Sequence, residues 1–204
     1  VETKFDNTLL LDGTGDYLSV PDNADWDFGS DPFTIDWWMR FDDTISGNDY
    51  FFSQNSNGAN ETFFALVSSG TTLTYQTKST GEGTIAEYSN SWSPSLDTWY
   101  HMAIVRNGTN FDIYIDGTAL TLTVQNAINS ESMPTQASDF YIGSGSPSAS
   151  GGFDGNIDEF RVTKGEARWT ENFTVPSVPY SAVGDTNDIT LISDTTVAES
   201  QPDQ

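Results

Sequence analysis

Residues 99–117, WYHMAIVRNGTNFDIYIDG, constrain the fold more than any other stretch of this chain. Apolar residues recur along WYHMAIV, an Asn107-Gly108 pair interrupts them, and FDIYI resumes an alternation of apolar and polar side chains. Asn-Gly readily takes the positive φ of a tight turn, so two extended runs around it predict a β-hairpin. Asp116-Gly117 supplies the next turn.

The same habit recurs along the chain. Segments 8–11, 17–20, 33–41, 50–54, 63–67, 73–77, 84–88, 100–106, 111–115, 120–124, 140–142 and 157–162 are short and rich in aromatic and β-branched residues. Gly, Asn, Asp, Ser or Pro bounds each of them. Helical periodicity never outlasts about one turn, and its best candidate is 166–170. Many short strands without intervening helices predict an all-β, antiparallel sandwich or barrel rather than a parallel α/β sheet. In 33–41 the alternation is clearest. Ile35, Trp37, Met39 and Phe41 share one face, expected to be core, while Asp36, Trp38 and Arg40 share the other, expected to be wet. Trp26, Trp37, Trp99 and Trp169 are assigned to the core or its edges.

The chain of 204 residues is long enough for one sizeable β domain. Lys and Arg number 7 against 30 Asp and Glu, a formal charge of −23. That balance opposes nucleic acid, whose backbone is held by Lys and Arg, and opposes docking on anionic membrane. No apolar run of about 18 residues predicts membrane insertion, and no basic-then-apolar leader opens these residues. The acidity reads either as a solvated surface or as clustered carboxylates that hold Ca²⁺. Cysteine is absent, so neither disulfides nor thiol chemistry is available. After Tyr180 the residues 181–204 contain no Lys, Arg or aromatic residue, and they read as an acidic linker. Residues 189–192 are a possible first strand of a following domain. The domain proper is therefore expected to span 1–180.

Four segments together resemble the laminin-G-like, concanavalin A-like jelly-roll family. They are LLLDGTGDYLSVPDNADWDFGSDPFTIDWWMRF, WYHMAIVRNGTNFDIYIDG, FYIGSGS and FDGNIDEFRVTKGEARWTENFTVPSVPY. The resemblance implies a two-sheet antiparallel jelly-roll sandwich, in a family many of whose members bind carbohydrate, often with calcium. RWTENFTVPSVPY followed by an acidic extension is similar to versions found in bacteriophage tail or other structural proteins and in large bacterial surface proteins. A virion or cell-surface location, within a larger assembly of subunits or domains, is the corresponding expectation.

Fold of this kind does not decide activity, so the residues must. Glycosidases need two carboxylates across the scissile bond. Hydrolases resembling the laminarinase group carry Glu-x-Asp-x-x-Glu on one strand, but no Glu here has Asp two residues later. Strand 33–41 offers only Asp36 in its interior. An enzyme, whether glycoside hydrolase or polysaccharide lyase, is the least favoured reading. The lone histidine, His101, is in phase with Trp99, Ala103 and Val105, and reads as a packed side chain donating to a carbonyl rather than a catalytic base. No Gly-rich loop leads into a Lys or a helix, so nucleotide binding has no motif.

Sugar recognition uses aromatic faces against pyranose C–H groups, with amides and carboxylates reading the hydroxyls. Trp38 with Asp36 and Arg40 could form a platform on a sheet face. Tyr50, Tyr88 and Trp92 lie at strand ends or loops, and the loops SQNSNGANE and IGSGSPSASGG supply polar groups. Asp158 is in phase with Phe160 and Val162, so it is expected to face an apolar layer and to need amide donors, Arg161, Lys164 or a cation. The family resemblance implies a structural Ca²⁺ where Asp158 meets the neighbourhoods of Asp12 and of Gly29 and Asp31. The leading expectation is a non-catalytic module that binds a glycan or cell-surface polysaccharide. The alternative is a purely structural decoration or spacer domain.

Overall fold

The computed structural model describes residues 4–5, 8–42, 47–55, 60–67, 71–146, 152–180 and 188–190. Parts of the loops SQNSNGANE and IGSGSPSASGG, and most of 181–204, lie outside the described residues. The strands are β1 (Leu9–Asp12), β2 (Leu18–Val20), β3 (Phe33–Phe41), β4 (Asp49–Asn55), β5 (Glu61–Val67), β6 (Thr72–Ser79), β7 (Gly83–Ser91), β8 (Trp99–Asn107), β9 (Asn110–Ile115), β10 (Thr118–Ala119), β11 (Thr123–Asn126), β12 (Phe140–Ile142), β13 (Asp154–Lys164) and β14 (Asp188–Thr190). They form two antiparallel sheets. The first runs β1-β13-β3-β8-β9-β10 with β14 also paired to β13, and the second runs β11-β7-β6-β5-β4-β12-β2. This is the two-sheet antiparallel sandwich expected. Among the described residues no helix is long and apolar enough to cross a membrane.

The hairpin that opens the sequence argument forms between β8 and β9, with Asn107 opposite Asn110. The two-residue loop is therefore Gly108-Thr109, one residue later than Asn107-Gly108. Gly108 has φ +63, and Thr109 is not among the residues with positive φ, the pattern of a II′ turn. Asp116 (φ 50) and Gly117 (φ 74) both take positive φ, as a I′ turn requires, and join β9 to β10. Of the expected strand 120–124 only 123–124 is extended, at the start of β11; 120–122 is irregular, and β10 precedes it at 118–119. The expected helical turn at 166–170 is irregular, and the helical turn that does form is the 3-10 segment Ala24–Trp26, capped by the Asn23 side chain.

Between the sheets Trp37 is the centre of the core. It stacks on Phe160 at 5.5 Å and meets Phe52 and Phe64 edge-on at 5.9 and 5.7 Å. Phe33, Ile35, Met39 and Phe41 bury the same face of β3, as the alternation predicts. The opposite face of β3 departs from expectation. Asp36 and Trp38 are buried too, Asp36 beneath Tyr180 of the segment 166–180, which crosses the outside of the first sheet, and Trp38 beneath Lys4 and Phe5. Trp169 stacks on Phe173 at 3.9 Å, and both pack with Ala167 over Ala103, Val105 and Tyr114. Apolar side chains on both faces of β8 and β9 make this second, smaller core possible.

Candidate functional site

The proposed platform on the first sheet is a sealed ionic cluster. Asp36 (β3) accepts two hydrogen bonds from Arg161 (β13), Nε to Oδ1 and Nη2 to Oδ2, each 2.9 Å. The Tyr180 hydroxyl donates to Asp36 Oδ2. It also lies 3.0 Å from His101 Nε2, which is 3.4 Å from the same carboxylate oxygen. Burial opposes charge on Asp36, but hydrogen bonds from His101 and Arg161 and the Arg161 charge outweigh it and hold the carboxyl below its usual range. Burial, reinforced by the Asp36 carboxylate, raises the Tyr180 hydroxyl. Arg161 stacks its guanidinium on the Tyr180 ring at 3.8 Å. His101 is surrounded edge-on by Trp38, Trp169 and Phe173, and its Nε2 meets the Tyr180 hydroxyl and the Asp36 carboxylate rather than the carbonyl expected.

Trp38 and Arg40 are likewise occupied. Trp38 is covered by Phe5 and by the Lys4 ammonium, 3.7 Å from its ring centroid. Arg40 donates to Asp42, Asp97 and Asn156. Asp36, Trp38 and Arg40 thus form no open sugar platform: Asp36 lies under Tyr180, Trp38 under Lys4 and Phe5, and Arg40 is held by Asp42, Asp97 and Asn156. Tyr88 points into the core, stacked on Phe111 at 4.4 Å, with its hydroxyl accepting from the Ile128 amide. Trp92 packs on Phe41 and Tyr100. Of the six proposed ligand-binding residues, Tyr50 lies on a partly open sheet face.

The proposed calcium ligands do not converge. Asp12 lies opposite Asp154, whose neighbour Gly155 is opposite Phe41. Gly29 and Asp31 precede Phe33 at the other end of β3. Those two ends are roughly 26 Å apart, at about 3.3 Å per residue. The Gly29 carbonyl is taken by Arg106 Nη1 (2.9 Å) and the Met133 amide (2.7 Å). Asp158 also breaks its expected phase. A register shift between Asp158 and Arg161, with Glu159 at φ 54, turns Asp158 to the outer face opposite Trp38 while Phe160 and Val162 remain in the core. There its Oδ2 accepts from the Phe5 amide and the Thr8 hydroxyl, at 3.0 and 3.1 Å.

The outer face of the second sheet is partly open: Tyr50, Phe63, Gln76, Glu87, Glu61 and Lys78 are half-buried, while Ser53, Ala65, Thr74, Ser89 and Tyr141 lie buried among them. Phe52, Phe64 and Tyr75 are buried in the core, so their neighbours Ser53, Phe63 and Gln76 must face out. One cross-strand row on that face reads Ser19, Tyr141, Ser53, Phe63, Gln76 and Glu87. Tyr50, Ala65, Thr74 and Ser89 form the next row, and Asn55, Glu61 and Lys78 lie on the other side. Tyr50 and Phe63 meet edge-to-face at 5.4 Å, both half-buried. Gln76 Nε2 donates to Glu87 Oε2 at 2.8 Å, and Lys78 Nζ to Glu61 Oε1 at 2.6 Å. Ser53 Oγ donates to the Ser144 carbonyl and Asn55 Nδ2 to the Gly145 carbonyl, so the segment after β12 walls one side. Of this face the sequence pointed to Tyr50 and, within SQNSNGANE, to Ser53, Asn55 and Glu61, but not to Phe63, Gln76, Lys78 or Glu87. Two adjacent phenylalanines in ETFFALV conceal which one faces out, although the alternating polar residues of TYQTK and AEYS carried the signal.

Edge-to-face aromatics beside ordered amides and carboxylates can bind an apolar sugar face and read its hydroxyls. They offer no exposed nucleophile–base pair. Glu61 and Glu87 sit on strands separated by β6 and are two residues out of register, which puts their Cα atoms roughly 12 Å apart at about 4.8 Å per strand and 3.3 Å per residue.

Residues 12–171 match the family model described as the concanavalin A-like lectin/glucanases superfamily. No curated protein matches in sequence. Solved structures agree on the fold. Domain 4 of a GH43 extracellular arabinanase from Geobacillus stearothermophilus, solved with arabinotriose, is 17% identical with a TM-score of 0.56, covering 78% of this chain and 71% of that one. A putative carbohydrate binding protein from Bacteroides ovatus is 18% identical (TM-score 0.55, 81% and 43% covered). A tailspike protein of an Escherichia coli O157:H7 bacteriophage is 13% identical (TM-score 0.54, 82% and 27% covered). This chain spans less than half the length of the last two. Matched by its family model over most of its length, and built as the sandwich that model describes, the chain belongs to the concanavalin A-like lectin/glucanase superfamily as a laminin G-like domain.

Proposed function

We propose that this is a non-catalytic carbohydrate-binding module of a larger virion or cell-surface protein, and that it holds glycan on the outer face of the second sheet. One observation carries the reading: a half-buried aromatic pair, Tyr50 and Phe63, stands on that face among oriented polar side chains, while 166–180 covers the corresponding face of the first sheet. Sugar C–H groups stack on Phe63 and Tyr50. Gln76, Glu87, Glu61, Lys78 and Asn55 meet hydroxyls with groups whose orientation is already set by their mutual hydrogen bonds. Such preorganisation lowers the ordering cost of binding. The arabinotriose bound to a domain of the same fold, and the tailspike neighbour, support the ligand class and the setting.

A glycan array followed by calorimetry on the best binder tests this. Binding is expected without release of reducing sugar or unsaturated uronate, and Phe63→Ala is expected to weaken it at least tenfold. Silence on every bacterial, marine and host glycan would favour a spacer domain instead.

A further inference from the structure

The charges around the Tyr50–Phe63 pair narrow the class of ligand that this face can hold. All seven Lys and Arg of the chain lie among the described residues. Six of them are committed elsewhere. Lys4 covers Trp38, Arg40 is held by Asp42, Asp97 and Asn156, and Arg161 by Asp36. Arg106 is buried and donates to the carbonyls of Gly29, Gly108 and Glu131. Lys164 donates to the Ala24 carbonyl and Arg168 to the Thr163 hydroxyl. Lys78 is the one cation on the outer face of the second sheet, and Glu61 holds it at 2.6 Å.

Hydrogen-bond donors on the face are largely spent as well. Asn55 Nδ2 gives one hydrogen to Glu61 Oε2 and the other to the Gly145 carbonyl, each at 3.3 Å. Gln76 Nε2 donates to Glu87 Oε2. A carboxylate has about four lone-pair sites and no hydrogen to give, so Glu61 and Glu87 keep acceptor capacity after these bonds. Acceptors of this kind need O–H groups from the ligand. Sugar hydroxyls supply them, and an O–H donating to a carboxylate makes a short, strong bond. An ionised carboxylate or sulfate on the ligand brings only further acceptors. For Lys78 to take such a group it would have to leave Glu61, whose charge would then stand uncompensated beside the newcomer.

We propose, resting on the glycan-binding reading above, that this face selects uncharged glycans and excludes those bearing carboxylate or sulfate. Hydroxyls of the bound sugar donate to Glu61 and Glu87, and its C–H faces lie on Phe63 and Tyr50. The formal charge of −23 acts in the same direction at longer range, repelling polyanions before contact. Salt weakens both repulsions, whereas stacking and hydrogen bonding to an uncharged sugar are nearly indifferent to it.

The test uses matched probes: the strongest neutral binder from the glycan array, the same glycan oxidised at its primary hydroxyls to uronate, and the methyl ester of that uronate, which restores neutrality. In calorimetry at about 0.1 M salt, where charges are felt to about 10 Å, the uronate form should bind at least about tenfold more weakly than the neutral one, and the ester should recover much of the loss. At about 1 M salt that reach falls to about 3 Å, and the gap should narrow severalfold. Glu61→Gln, nearly isosteric, releases Lys78; it should weaken the neutral glycan, tighten the uronate form and so narrow the gap at low salt. Strongest array signals from acidic glycans, a gap that persists in the ester, or one that Glu61→Gln leaves untouched would each overturn the proposal while glycan binding stands. Silence on every array glycan, neutral or acidic, would remove both.

Discussion

Replacing Tyr180 with Phe removes a single oxygen and tests how the segment 166–180 is held on the first sheet. The ring would keep its stack on the Arg161 guanidinium, so the lost interactions are those of the hydroxyl: its donation to Asp36 Oδ2 and its contact with His101 Nε2. Asp36 is fully buried, so water cannot substitute for the missing donor. A hydrogen bond to a buried charged group contributes about 1.5–3 kcal/mol, and Arg161 still holds both carboxylate oxygens, which caps the loss near the middle of that range. We expect Tyr180→Phe to destabilise by about 2 kcal/mol, a fall in Tm of roughly 4–8 °C for a domain of this size. Urea denaturation and calorimetry of the two proteins would measure it. A double-mutant cycle with Asp36→Asn should assign most of the loss to the Tyr180–Asp36 pair. A loss below about 0.5 kcal/mol, or a cycle showing no coupling, would refute the claim that this hydroxyl locks the segment.

Asp36 predicts a pH signature. Because its folded carboxyl lies below the unfolded value, its contribution is present above about pH 4 and disappears as pH falls through the lower folded value. Asp36→Asn, which removes the carboxylate that takes two hydrogen bonds from Arg161, should be about 3–5 kcal/mol less stable at pH 7, with the deficit shrinking below pH 4; a deficit constant with pH would contradict this. Gly117→Ala should destabilise by about 3 kcal/mol or more, since its Cβ would stand 2.0 Å from the Phe173 carbonyl oxygen at φ +74, and thermal melts would show it. Phe63→Ala should weaken glycan binding while lowering Tm by no more than a few degrees, because Phe63 is outside the main core; calorimetry and melting curves on one sample separate the two effects.

The covering of the first sheet has a consequence for reading chains of this kind. An amphipathic outer face on a strand predicts exposure only if nothing distant returns to it. Here Arg161 and Tyr180 reach Asp36 from 125 and 144 residues away, and the segment that brings Tyr180 also brings Trp169 and Phe173. Asp36 beneath Tyr180, and Trp38 beneath Lys4 and Phe5, therefore had the composition of a binding platform and the position of a buried floor. Phe63 had the opposite history. It looks like its core neighbour Phe64 and was legible as a surface aromatic only once pairing with Gln76 set its side of the sheet.

Local chemistry was enough to determine the all-β class, the alternation of β3 and the hairpin near residue 108, because those depend on side-chain period and turn conformation over a few residues. Tertiary structure alone decided which sheet face stays partly open and which way Asp158 points. Each depends on long-range docking or on the register shift at Glu159, an ordinary L-residue at φ 54 that no local rule marks. A period-two pattern assigns faces only while the strand stays in phase, and a single extra residue reverses every assignment on one side of it.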